Sequence, residues 1–181
     1  MRFTAAELPG VWIINVEPRG DARGFLARTY CAEEFAAHGL CTRWVQMSTV
    51  FNPLAGTLRG LHFQQAPHAE VKLVRCTAGQ VYDVIVDLRP DSPTFRRSMA
   101  IELSAQNRRM VYIPEGLAHG MQTLESESEL FYMMSEFYAP EAAAGVRWDD
   151  PAFAVSWPAA PTAGRIIAAK DQEWPDFSWT R

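Results

Sequence analysis

The chain has 181 residues, 48% of them hydrophobic and 21% charged, which is the balance of a folded protein and excludes a disordered one. A formal net charge of -4 gives no bulk signal for nucleic acid, though a local basic pocket for a diphosphate stays open. No run of about 20 apolar residues exists to span a membrane, and the N-terminal apolar stretch, broken by Glu7, Pro9 and Asn15, is too short for a signal peptide.

In chain order, residues 11–16 (VWIINV) are rich in β-formers and predict a strand. Residues 31–38 (CAEEFAAH) predict two helical turns closed by Gly39. From about residue 45 to 135, short apolar runs punctuated by glycine and proline predict strands joined by turns. Residues 81–88 and 110–113 are the clearest of these. Within 81–88, Tyr82, Val84, Val86 and Leu88 share a uniformly apolar face that should pack in a core. Val81, Asp83, Ile85 and Asp87 share the other face. It suits either the wall of a partly polar cavity or a solvated outer surface. Residues 140–144 (PEAAA) predict one helical turn with proline at its start. From about Pro151 the tryptophans and prolines follow no period, so an irregular wrap over the barrel is expected. The class is therefore all-β, a sandwich or barrel with a few short helices, in one domain over 1–181. Cys31, Cys41 and Cys76 are odd in number, irregularly spaced and without a CxxC. Reduced thiols in a cytoplasmic protein are the expectation.

Two of the four histidines stand in dense local signatures. His38 ends the expected helix and His68 sits in a polar loop. His62 lies in GTLRGLHFQ (56–64). In a regular strand it would share a face with Leu58, Gly60 and Gln64, and Arg59 would point away. A bulge at Gly60 would turn both inward. Such a pair suits an anionic substrate, but on these residues alone it reads more readily as a core histidine beside a surface arginine. His119 lies in YIPEGLAHG (112–120), where PEG predicts a tight turn that feeds the histidine into the next strand.

The second signature resembles the second motif of the cupin barrels, whose histidine often binds a metal. Metal cupins carry an HxH pair and a downstream glutamate in the first motif. Here that tripeptide is His62-Phe63-Gln64, and Glu70 is the nearest carboxylate. Two histidines from distant strands are a poor ligand set for a first-row divalent metal, so no metal and no cofactor are expected.

Eight segments then occur in order: RGDARGF (19–25), LRGLHFQ (58–64), KLVRC (72–76), VDLRPDSPTF (86–95), IPEGLAHG (113–120), FYAPE (137–141), RWDDPAF (147–153) and AKD (169–171). Together they resemble the dTDP-4-dehydrorhamnose 3,5-epimerase family across nearly the whole chain. The resemblance implies a cupin-type jelly roll and a homodimer whose N-terminal strands cross between subunits. It implies a nucleoside-diphosphate 4-keto-6-deoxyhexose as substrate, inverted at C3 and/or C5. A C–H beside a ketone is acidic when the enolate is stabilised, and inversion needs a base on one face and a proton donor on the other. By resemblance His62 is the base, since histidine, with an ordinary pKa near ~6.5, can accept a proton at neutral pH. Asp171 is its partner, Tyr132 the acid, and Lys72 the cation facing the keto oxygen. His119 and Asp83 would line the same pocket. Arg59 and Arg23 would hold the diphosphate, Arg23 from the partner subunit, and Gln46 and Tyr138 would meet the nucleotide.

Three positions depart from the family pattern: Val71 for a glycine, Met133 for a lysine, and Met47-Ser48 for the end of a VQDN stretch. They fall near the expected sugar and nucleotide contacts and bear on substrate identity. A 3,4-ketoisomerase on a related nucleotide sugar and a non-catalytic sugar-binding cupin stay open as alternatives.

Overall fold

The computed structural model describes residues 1–162 and 164–178. Its strands are β1 (Arg2–Ala5), β2 (Trp12–Asn15), β3 (Arg19–Asp21), β4 (Gly24–Leu26), β5 (Gln46–Asn52), β6 (Thr57–Gln64) and β7 (Lys72–Ala78). They continue with β8 (Gln80–Asp87), β9 (Ser98–Ser104), β10 (Arg109–Ile113), β11 (Leu117–Thr123), β12 (Ser128–Met134), β13 (Ala143–Gly145) and β14 (Ile166–Ile167). The helices are α1 (Ala32–Ala37) and α2 (Ala169–Gln172).

The first sheet runs β1-β2-β10-β7-β12-β5, and the second β13-β6-β11-β8-β9 with β14 added in parallel to β6. Strands β3 and β4 form a separate hairpin. Period-two alternation sorts side chains between the layers. Val74, Cys76, Val111 and Leu130 of the first sheet meet Val81, Ile85, Leu103 and Met121 of the second in the central core. The outer face of the first sheet packs Leu73, Met110 and Met133 against Phe35 of α1. The outer face of the second sheet packs Leu61, Val84 and Val86 under Phe153, Trp157 and Phe177.

Strand β8 overturns both readings of its mixed face, which lines neither cavity between the sheets and meets no solvent. Tyr82, Val84, Val86 and Leu88 pack under the C-terminal segment, as the apolar face predicts. The Asp83 face is not a solvated surface, because Val81 and Ile85 lie in the central core and Asp83 and Asp87 are fully buried. Helix α1 forms where expected, and Gly39 follows it at φ 68. The expected helical turn at 140–144 forms only in its first half. Ala142 and Ala143 donate to the carbonyls of Ala139 and Pro140, closing one turn, and the chain then enters β13 and pairs with β6. The open edge of β6 offers a ladder of hydrogen bonds, which outweighs the alanines' helix preference. The segment after Pro151 is largely irregular, interrupted by β14 and the single turn of α2.

Candidate active site

Gly60 creates the geometry of β6. His119 pairs with His62 and Met121 with Arg59, so two residues of β6, Gly60 and Leu61, stand opposite Gly120 alone. This bulge turns Arg59 and His62 to the same side, while Leu61 packs outward. Only glycine fits there: φ is +114, and an added Cβ would sit 2.6 Å from Gly120 Cα and 2.8 Å from His119 O.

The space between the sheets is filled at one end and open at the other. An inner cavity of about 120 Å³ is bounded by Arg59, His62, Lys72, His119 and Tyr132 over an apolar floor of Val50, Val74 and Leu130. An outer cavity of about 470 Å³ shares His62 and Lys72 and adds Glu70, Tyr138, Lys170, Glu173 and Trp174. His62 and His119 come from the second sheet, and Lys72 and Tyr132 from the first. Tyr132 therefore faces His62 across the gap.

His62 is oriented by an aspartate. Its Nε2–H donates to Asp171 Oδ1 at 2.7 Å, and Asp171 Oδ2 accepts from the Gly60 amide at 3.2 Å. The bond places the ring proton on Nε2 and leaves Nδ1, which no described residue engages, as the acceptor. Asp171 is 2% exposed. Burial opposes its charge, but the His62 hydrogen bond and charge and the Gly60 amide outweigh that, and the carboxyl titrates below its ordinary range. It comes from α2, over a hundred residues later in the chain, held beside β6 by the β14 pairing.

His119 repeats the device, with Nε2 2.8 Å from Asp83 Oδ2. Asp83 is wholly buried behind the ring and bounds neither cavity, so it meets the pocket only through His119. Asn52 Oδ1 accepts from Arg59 Nε at 2.8 Å and aims the guanidinium. Gln46 Oε1 accepts from the Tyr138 amide at 3.0 Å, which brings those two expected residues together. Arg23 bounds neither cavity of its own chain. It sits at the tip of the β3–β4 hairpin, 90% exposed and paired with Asp21. Among the described residues no three of His, Cys, Asp or Glu are grouped to hold a metal ion, and no helix is long and apolar enough to cross a membrane.

Four contributors were not anticipated from sequence. Lys170, Glu173 and Trp174 flank Asp171, and adjacency to the AKD motif was the available signal. Glu70 stands two residues before Lys72, just ahead of β7, and binds it. Two of the departures also prove remote. Val71 and Met133 pack in the outer cluster of the first sheet with Phe35 and Tyr112 and line neither cavity. Met47 is 55% exposed.

Comparison with known proteins agrees with this fold. The family profile described as dTDP-4-dehydrorhamnose 3,5-epimerase matches residues 5–178. The enzyme of that name from Methanothermobacter thermautotrophicus is 40% identical over 173 residues, covering 96% of this chain and 92% of its own. The crystal structure of the one from Elizabethkingia anophelis superposes with a TM-score of 0.93 at 36% identity, over 98% of this chain and 96% of that one. The Bacillus anthracis structure, solved with TDP and PPi bound, gives 0.92 at 35% identity, over 97% of this chain and 99% of that one. With its two-sheet fold and its His62–Asp171 pair facing Tyr132, this chain belongs to the dTDP-4-dehydrorhamnose 3,5-epimerase family.

Proposed function

We propose that this chain epimerises a nucleoside-diphosphate 4-keto-6-deoxyhexose at C3 and/or C5 through an enolate, in deoxysugar biosynthesis. The observation that carries the reading is the Asp171-oriented His62 on one sheet, facing Tyr132 on the other, with Lys72 between them. His62 Nδ1 removes the proton next to the ketone, and Asp171 stabilises the imidazolium that forms. The Lys72 ammonium and His119 stabilise the enolate oxygen. Tyr132 then protonates the carbon from the other face, and two unlike groups on opposite sheets give inversion rather than simple exchange.

The outer cavity suits the nucleoside diphosphate, with Tyr138, Trp174 and Gln46 near its mouth and Arg59 for phosphate. The TDP-bound relative supports a thymidine nucleotide. The working unit is a homodimer. Phe25 and Leu26 on the hairpin, and Met47 and Phe51 along the outward face of edge strand β5, are large apolar side chains left exposed on one chain. A second copy covering them would let the hairpin carry Arg23 to its partner's cavity.

Incubation with dTDP-4-keto-6-deoxyglucose in D2O, followed by NMR, tests the reading. The expected result is deuterium at C3 or C5 with an inverted centre. A carbonyl moved to C3 would make the protein a ketoisomerase, and binding without exchange would make it a non-catalytic cupin. Sedimentation of the intact chain tests the dimer.

A further inference from the structure

Glu70 is a buried acid with a single partner. Its side chain is 3% exposed, and Oε1 lies 2.7 Å from Lys72 Nζ. The other oxygen, Oε2, is buried and has no hydrogen-bond partner. Burying a carboxylate with one oxygen unpaired costs stability, and a residue kept only for packing would not need the charge. What Glu70 does engage is the ammonium that stands between the two cavities.

The geometry at Nζ is informative. A lysine ammonium has three N–H donors on a flexible four-carbon stem. One is directed to Glu70 Oε1, and a second to the backbone oxygen of His62 at 3.3 Å. The third is left for the cavity. The two protein contacts fix the azimuth of the third donor relative to the His62 ring, because one of them is His62's own carbonyl.

We propose that Glu70 is a positioning residue for the reaction: it anchors Lys72 so that its remaining N–H points at the oxygen on which negative charge develops. This rests on the reading of Lys72 as the enolate-stabilising cation. Without the anchor the stem samples other rotamers, and the alignment has to be regained in each turnover. The role is geometric, so an uncharged acceptor of the same shape should serve.

Steady-state kinetics of Glu70→Gln, Glu70→Ala, Lys72→Ala and the double alanine variant test this, with deuterium exchange as the readout. Glu70→Ala should lower kcat by roughly 10–100-fold and leave KM within about threefold, because the contact strengthens only in the transition state. Glu70→Gln should restore kcat to within about fivefold of the parent protein. The double variant should be no slower than Lys72→Ala, since Glu70 acts only through Lys72. Additive losses, a glutamine variant as slow as the alanine one, or a raised KM with kcat unchanged would each overturn the proposal. If Glu70→Ala does not fold, Glu70→Met fills the volume without an acceptor and takes its place. A parent protein that exchanges no deuterium refutes the functional reading itself; an active parent with an additive cycle refutes only the role of Glu70.

Discussion

Replacing Asp171 with asparagine isolates the part of the site that orients His62, the proposed base. The amide keeps the volume and can still accept from the Gly60 amide, so the fold should survive. Its NH2 group, however, can donate to His62 Nε2 and stabilise the tautomer with the proton on Nδ1, the nitrogen that should accept from substrate. Two energies are lost. A charge-assisted hydrogen bond contributes about 1.5–3 kcal/mol. Opposite charges about 4 Å apart at an effective dielectric near 20 attract by about 4 kcal/mol. These overlap, and His62 is 38% exposed, so solvent screens part of the sum. A loss of about 3 kcal/mol in forming the imidazolium corresponds to roughly 10²-fold in kcat. KM should change little, because Asp171 is not part of either cavity wall. The assay is NMR-detected deuterium exchange on the keto sugar, with thermal unfolding as a fold control. A folded Asp171→Asn protein with kcat within about threefold of the parent would refute the dyad reasoning.

Three further outcomes follow from the same geometry. Tyr132→Phe keeps the apolar contacts with Val74 and Leu130 but removes the donor, so net inversion should fall by about 10²–10⁴-fold while His62 still washes deuterium in from its own face; equal loss of both reactions would count against Tyr132 as the acid. Gly60→Ala should destabilise the protein by about 2–4 kcal/mol, measured by urea unfolding, because the new methyl meets backbone atoms that cannot yield; a loss below about 0.5 kcal/mol would argue against the bulge. Burial pushes Asp87 up, but Arg89, Ser92 and Thr94 more than offset it and hold the carboxyl at about 2, against 3.8 unfolded. A depressed folded pKa means stability that is full above the unfolded value and lost as pH falls toward the folded one. About 2 kcal/mol should therefore disappear between pH 5 and pH 2 in the parent and be largely absent from that window in Asp87→Asn, compared by urea midpoints.

Sequence alone was enough for the class, the main strands and the identity of the chemistry. β-Branched runs broken by glycine and proline have few ways to bury themselves other than as paired sheets, and α1 carries its own stop signal in Gly39. His62 and His119 stood out by their local signatures, and Lys72 and Tyr132 by the family resemblance. Tertiary structure decided what local pattern could not. After the turn at 140–142, Ala143 and Ala144 favour a helix, yet the open edge of β6 draws them into a strand. Val71 and Met133 lie next to site residues in sequence and on the opposite face in space, since adjacent strand residues point to opposite sides. The bulge at Gly60 reverses that rule once and brings Arg59 round to His62. The reach of Asp171 back to His62, the burial of Asp83 behind His119, and the Glu70–Lys72 anchor are contacts that no period encodes, because each depends on which strands the fold sets side by side.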